Sequence, residues 1–383
     1  MNRILHIWND YSPVLFDQTH PICLAKNIDS HLVCGNYINN HTFPLDNTII
    51  YRYRSPKEMG NVGSFWKVYR LVRRLFFWKK FSKFVSVEIK KLAPNILHFH
   101  FGNTAGSLIN LLETVQIPIV VSYYGVDASA LLKDPFWIER YKLVFKHATV
   151  VHVLCEEVVE RFIKLGCPPE KLIIWNLPPN IESYPLRERT YDGTTRFLIA
   201  ARFVEKKGHV FLLNAFRQLV NKNIKVHLTL FGYGPTVWLQ RLISELDLND
   251  FVTLINNGQS ADFTSTFRKM INKHDIFLAP STIAKNGDDE GGPALTMVCA
   301  QAAGMPVIAT PFAGAQISLV DGKTGYYCKQ DDAISLERIM LDMCGKPDVW
   351  QELGRNGSEL VKQQFSILGQ GRELIQLYKS VLK

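Results

Sequence analysis

Short apolar runs recur along the chain and alternate with longer stretches in which apolar positions return every three to four residues. The runs predict strands and the longer stretches predict amphipathic helices. In the first half the strands fall at residues 3–8, 31–34, 96–101, 119–123 and 150–154, and the helices at 15–27, 62–91, 104–114, 135–147 and 156–165. A second series begins near residue 196, with strands at 196–200, 225–231, 251–255, 275–279 and 306–309 and helices at 208–221, 236–246 and 293–303. Alternating strands and helices predict an α/β protein with parallel sheets covered by helices on both faces. Residues 176–193 interrupt the pattern with Pro178, Pro179, Pro185, Gly193 and many charges, and read as a joint. The expected organisation is a first doubly wound domain at 1–180, a linker at 181–194, a second doubly wound domain at 195–364, and a closing helix at 365–383 that can pack back on the first. Doubly wound sheets bind ligands beyond the carboxyl ends of their strands, so two such domains are expected to face each other across a central cleft.

Composition agrees with this picture and narrows it. The 383 residues exceed one ordinary core, and 47% hydrophobic with 21% charged residues is globular composition. Seven cysteines are scattered without a C-x-x-C pair, which fits reduced thiols rather than a disulfide framework or a zinc site. No apolar stretch reaches transmembrane length and the first residues lack a signal-peptide pattern, so a cytoplasmic location is expected.

The net charge of +9 is concentrated in one segment. Residues 66–91 carry nine Lys or Arg against Glu88 alone, interleaved with Trp66, Tyr69, Phe76, Phe77, Trp78, Phe81 and Phe84. A basic, aromatic-rich helix has the composition of a contact with an anionic membrane surface. The same pattern also suits a sheet-covering helix whose polar face is solvated. No helix-turn-helix or RNA-binding aromatic motif accompanies it, so nucleic acid is not an expected partner.

Three loops after predicted strands look built for a phosphorylated ligand. The first, ARFVEKKG, offers the fork of Arg202 and the compact charge of Lys207. The second, FGYGP, places Gly232 and Gly234 where backbone can approach a ligand closely. The third runs from Pro280 through DDEGGP into a helix with Pro293 in its first turn. There the amides of Gly291, Gly292, Ala294 and Leu295 have no partner within the helix and form a natural anion site beside Glu290.

The combination ARFVEKKG, GYGP, PS…DDEGG…CAQAAGMPVIAT and DGKTGYY resembles the C-terminal half of family 4 glycosyltransferases, over about residues 196–330. LHFHFGNTAG at 97–106 and VSYYGVDAS at 121–129 are similar to the members that build bacterial exopolysaccharide, capsule and lipopolysaccharide. The resemblance implies the GT-B fold and retaining, metal-independent transfer of a sugar from a nucleotide-diphosphate sugar to a lipid-linked or polysaccharide acceptor. It implies no cofactor beyond that donor, and a place on the inner face of the cytoplasmic membrane. The family's pyrophosphate-binding Arg and Lys fall on Arg202 and Lys207, and the first acid of its two-glutamate motif falls on Glu290. The second acid, which usually holds the donor ribose, falls on Cys299 when counted back from Gly304 and Pro306, or on Val298 by an exact seven-residue gap. A carboxylate-to-ribose hydrogen bond is worth on the order of 1.5–3 kcal/mol, so its loss predicts weaker donor binding. Tyr124 stands where many members have histidine.

In the first domain, His100, Tyr124 and Asp127 are the expected acceptor-side residues, with His100 also a candidate for catalysis. Alternation along ILHFH puts His98 on the same side of the strand as His100, and His98 is expected to be a satisfied buried histidine. No D-x-D motif ends a predicted strand, which gives no reason to posit a metal. Two other readings fit the pattern: a catalytically weakened sugar-nucleotide-binding scaffold of a polysaccharide assembly complex, and a two-domain sugar-nucleotide epimerase.

Overall fold

A computed structural model describes residues 2–11, 28–37, 48–52, 65–258 and 263–382; the side chains of 10–11, 36–37, 48–52 and 65–76 are not described. The helix expected at 15–27 lies outside the described residues. The chain divides into two compact units. One comprises Met1–Val153, Val159–Trp175 and Gln370–Lys383, and the other Leu154–Val158 and Asn176–Gly369.

The first unit is built on a seven-stranded parallel sheet of β1 (Asn2–Tyr11), β2 (Ile28–Tyr37), β3 (Thr48–Arg52), β4 (Ile96–His100), β5 (Ile119–Ser122), β6 (Val150–Val153) and β7 (Leu172–Ile174). Their order is β3-β2-β1-β4-β5-β6-β7. The apolar runs of β4, β5 and β6 are buried along their whole length, as strands covered on both faces must be. Helices α1 (Phe65–Leu92), α2 (Gly102–Ser107), α3 (Ile109–Leu112), α4 (Pro135–His147) and α5 (Glu156–Lys164) connect them. Helix α4 starts where Asp134 accepts the amide of Phe136 and Pro135 occupies the first turn, a combination that satisfies an otherwise unpaired donor.

Helix α1 divides its faces more sharply than its sequence suggests. Phe81, Val85, Glu88 and Ile89 are buried, whereas Lys79, Lys80, Lys83, Val87, Lys90 and Lys91 are exposed. The i, i+4, i+8 stripe of Phe81, Val85 and Ile89 is therefore the core face. Phe81 serves the core and not an outer aromatic face, and the exposed surface of this half of the helix is a row of lysines.

The second unit carries six parallel strands: β8 (Thr195–Ala200), β9 (Val226–Gly232), β10 (Val252–Asn256), β11 (Ile276–Ala279), β12 (Val307–Ala309) and β13 (Gly325–Tyr327). They lie in the order β10-β9-β8-β11-β12-β13, a doubly wound arrangement whose direction of winding reverses between β8 and β11. Alternate residues feed opposite faces. Phe197, Ile199, Ile276 and Leu278 enter one apolar cluster, and Leu198, Ala200, Phe277 and Ala279 enter the other. Helices α6 (His209–Asn221), α7 (Val237–Glu245), α8 (Phe263–Lys273), α9 (Leu295–Ala302), α10 (Ala333–Gly345), α11 (Val349–Gln364) and α12 (Ile367–Val381) complete the chain; α8, α10 and α11 were not among the expected helices. The unit boundary falls inside α12, so the expected closing helix is divided: Gln370 onward belongs with the first unit.

Residues 181–194 are not a free linker. Ile181 and Tyr184 are buried in the second unit's core. Arg189 is buried as well, and its guanidinium donates to the carbonyls of Ile271, His274, Ala303 and Gly304. These carbonyls belong to the C-terminal ends of α8 and α9, where backbone acceptors are unpaired and the helix dipole favours a cation. One arginine thus caps two helices, which charge and proline content could not reveal.

Candidate active site

The reversal of winding in the second unit leaves a crevice beyond the ends of β8 and β11, and the loops that follow these strands carry the expected phosphate-binding residues. After β8 the chain turns through a short 3₁₀ segment, Glu205–Lys207, to Gly208. Gly208 has φ +68°, and a Cβ there would lie 1.7 Å from the Pro280 carbonyl oxygen, so only glycine fits. This close approach brings the β8 loop against the start of the β11 loop. Lys207 Nζ donates to Glu290 Oε1 at 2.5 Å, and Ser281 Oγ donates to the same oxygen at 2.8 Å. Burial by itself would raise the Glu290 carboxyl, but the ammoniums of Lys207 and Lys206, with the two hydrogen bonds, hold it below its ordinary value. Glu290 is therefore an ionised, buried carboxylate.

The loop that presents Glu290 is fastened at both ends. Buried Lys206 donates from Nζ to Asp288 Oδ1 at 2.9 Å and to the Asp289 carbonyl at 2.7 Å. The Thr282 amide reaches the Lys206 carbonyl, and the Thr282 hydroxyl donates to Asp331 Oδ2. Gly291 and Gly292 are buried. A Cβ on Gly292 would lie 2.4 Å from Leu154 Cβ, so the turn tolerates no side chain there. The following helix, α9, begins at Leu295 with Ala294 at its N-cap, which gives its first-turn amides no side-chain cap. Gly232 is equally constrained, since a Cβ would lie 1.8 Å from the Ala201 carbonyl oxygen, and Gly234 has φ +133°. Arg202 lies exposed on the loop after β8.

Cys299 and Val298 are placed elsewhere. Both belong to the apolar cluster beneath α9, and burial pushes the Cys299 thiol up to about 12. Cys299 was named as a donor contact from sequence; the structure makes it core, because α9 turns that face onto β11 and β12.

In the first unit, the carboxyl ends of β1 and β4 flank the corresponding reversal in winding, and they carry a polar cluster inside the sheet's covering layer. His6 Nδ1 and His100 Nε2 are 3.0 Å apart, and His100 Nδ1 lies 2.6 Å from the Tyr124 hydroxyl. Trp8 stacks on His100 at 4.2 Å between ring centres. A second row contains Tyr378, His98, Ser122, His152 and the Trp175 carbonyl, at 2.6, 2.7, 2.7 and 2.8 Å in turn. Its proton order follows from its end. The Trp175 carbonyl can only accept, so His152 carries its proton on Nε2 and accepts at Nδ1 from Ser122. Ser122 then accepts from His98 Nε2, and His98 Nδ1 accepts from Tyr378. Burial lowers the pKa of His6 to about 3 and of His152 to about 4, and moves His98 and His100 well below the usual imidazole range, so the whole group is neutral. Ligand nitrogens of His6, His98 and His100 lie within 4.8 Å of one another, a spacing a metal could bridge. However, the nitrogens of His98 and His100 are already engaged as described.

Asp127, named as acceptor-side from sequence, is fully buried and accepts the amides of Gly102, Tyr124 and Gly125. Burial raises its carboxyl and these hydrogen bonds partly offset the rise. Its work is to fold the Tyr124 turn. His6, Ser122, His152 and Tyr378 were not named from sequence. Only the alternation that pairs His6 with His98 in register could have pointed to one of them.

Among comparisons with known proteins, residues 181–360 match the family described as glycosyl transferases group 1, and residues 50–176 match the glycosyl transferase 4-like domain. WcaL of Salmonella typhimurium, a glycosyltransferase assigned to colanic acid biosynthesis, is 25% identical over 291 residues, covering 75% of this chain and 70% of its own. Sucrose-phosphate synthase from Thermosynechococcus elongatus shares the fold with a TM-score of 0.80 at 17% identity, over 100% of this chain and 99% of the other. Anabaena HepE, solved in complex with UDP-glucose, does so with a TM-score of 0.76 at 13% identity, over 99% and 100%. Taken with the two doubly wound units and the loops that end β8 and β11, these matches establish that the chain belongs to the family 4 glycosyltransferases of the GT-B fold.

Proposed function

We propose that this glycosyltransferase moves a sugar from a nucleotide-diphosphate sugar to a lipid-linked or polysaccharide acceptor, with retention of anomeric configuration. The observation that carries the reading is the buried Glu290 carboxylate gripped by Lys207 and Ser281 beside the Gly291–Gly292 turn. A diphosphate set there meets Lys207, Arg202 and the uncapped first turn of α9, and Glu290 is left to orient sugar hydroxyls. The bond from the anomeric carbon to the phosphate oxygen breaks with its electrons on that oxygen. The acceptor oxygen bonds the same face, and its proton passes to the departing diphosphate. The cations and amides stabilise the charge that develops there, which is the largest contribution in catalysis of this kind. The colanic acid assignment of WcaL and the UDP-glucose held by HepE support the acceptor and donor classes.

Among the described residues no helix is long and apolar enough to cross a membrane. The exposed lysine row of α1 supports a peripheral placement on an anionic surface, where a lipid-linked acceptor would be met. The test is release of nucleoside diphosphate from UDP-, GDP- and ADP-sugars with lipid-linked acceptors, followed by the anomeric coupling constant of the product. No release, together with no thermal shift from any of the free nucleotides, sinks the proposal.

A second reading, a weakened sugar-nucleotide-binding scaffold, is favoured by one observation: both positions available for the second acid are core residues. Nucleotide binding without turnover on any acceptor would select it.

A further inference from the structure

Lys206 and Lys207 are neighbours in sequence but differ in what they can do. Lys207 is partly exposed and its ammonium rests on Glu290. An arriving diphosphate competes with that carboxylate for the same three N–H donors. Lys206 is 3% exposed, and its ammonium is held by the Asp288 carboxylate and the Asp289 carbonyl. Its own carbonyl is pinned by the Thr282 amide. It cannot follow a ligand without dismantling the loop.

The charges around Glu290 make this difference matter. In the structure two ammoniums, Lys206 and Lys207, face two carboxylates, Asp288 and Glu290. When a diphosphate takes Lys207, the 8% exposed Glu290 loses its direct partner. A buried carboxylate without compensation takes up a proton or destabilises its surroundings. Ser281 donates one hydrogen bond but brings no charge.

We propose that Lys206 is a positioning residue: the fixed counter-charge that keeps Glu290 ionised and in place when the donor diphosphate draws Lys207 away. This rests on the donor-site reading given above. Lys207 is then the transferable cation and Lys206 the resident one, which gives the paired lysines of ARFVEKKG separate tasks.

The prediction is a proton count. Calorimetric titration of the full chain with UDP, GDP and ADP near pH 6, in buffers of different ionisation enthalpy, gives the protons taken up per nucleotide bound. The wild type and Glu290→Gln should give the same count, because Glu290 stays ionised throughout. Lys206→Gln should take up an additional fraction approaching about one proton. Lys206→Arg should restore the wild-type count, and adding Glu290→Gln to Lys206→Gln should abolish the excess. A Lys206→Gln count equal to wild type, or an excess that survives Glu290→Gln, overturns the proposal. Should Lys206→Gln not fold, the wild type and Glu290→Gln decide: a higher count in the wild type overturns it. If the wild type binds none of the three nucleotides, the donor-site reading fails first, and this inference falls with it.

Discussion

Tyr378 and His98 are 280 residues apart in sequence, yet the tyrosine hydroxyl sits 2.6 Å from His98 Nδ1. Because the row beyond His98 has a fixed proton order, Tyr378 is the donor and His98 the acceptor. The end of the chain thereby supplies the donor that satisfies a buried histidine nitrogen inside the first unit's sheet. Tyr378→Phe removes that donor and leaves a buried acceptor unpaired, at a cost of about 1–3 kcal/mol. Urea denaturation should report this loss, and a variant as stable as wild type would show that another donor serves His98.

Arg189 offers a larger effect. Replacing it with Met retains apolar bulk but strips a cation from four carbonyls at two helix ends. The expected loss is about 3 kcal/mol or more, read as a fall in melting temperature or in the urea midpoint. A loss under about 1 kcal/mol would mean that residues 181–194 behave as a linker after all.

Acid should destabilise the fold below pH 6.5. Burial lowers the pKa of His6 to about 3 and of His152, His209 and His274 to about 4, and depresses His98 and His100 well below the usual imidazole range. The unfolded chain takes these protons near pH 6.5 and the folded chain does not. Stability is complete above that pH and is lost as pH falls toward 4, by up to about 1.4 kcal/mol per pH unit for each group. Chemical denaturation at pH 7.5, 6 and 5 checks it; equal midpoints would contradict the neutral, buried cluster.

Lys207 and Glu290 should fail differently. Lys207→Met is expected to weaken nucleoside diphosphate binding and raise the donor KM. Glu290→Gln releases Lys207 to phosphate, so nucleotide binding should hold or tighten while kcat falls by about 10²-fold or more. Calorimetry with UDP, GDP and ADP alongside steady-state kinetics separates the two. Parallel losses in KM and kcat from both variants would argue against separate roles.

The lysine row of α1 makes a prediction independent of the chemistry. Reversing Lys79, Lys80 and Lys83 to Glu alters exposed positions only, so folding should be unaffected. Sedimentation with phosphatidylserine-containing vesicles should fall by tenfold or more, at roughly 1 kcal/mol per cation lost. Unchanged sedimentation would return this face to a merely solvated one.

Local pattern was enough to read the two strand–helix series, the glycine-bearing loops and the meeting of the Lys207 loop with the Glu290 loop. Each of these is written in neighbouring residues: apolar runs bounded by turns, basic residues just past a strand, proline in a first helical turn. Even so, Cys299 was misread, because which face of a helix meets the core depends on what packs beneath it. Asp127 was misread for a related reason: a short carboxylate near a turn looks the same in sequence whether it meets a ligand or its own backbone. Arg189, His6, Lys206 and Tyr378 are tertiary residues in a stricter sense. Their partners lie on other elements, from 82 residues away for Lys206 and Asp288 to 280 for Tyr378 and His98. Sequence determined the main alternation of strands and helices and where the glycine-bearing loops after β8, β9 and β11 sit. Only the folded structure decided which buried charges and imidazoles have partners, because a partner's identity is set by the register and packing of distant strands.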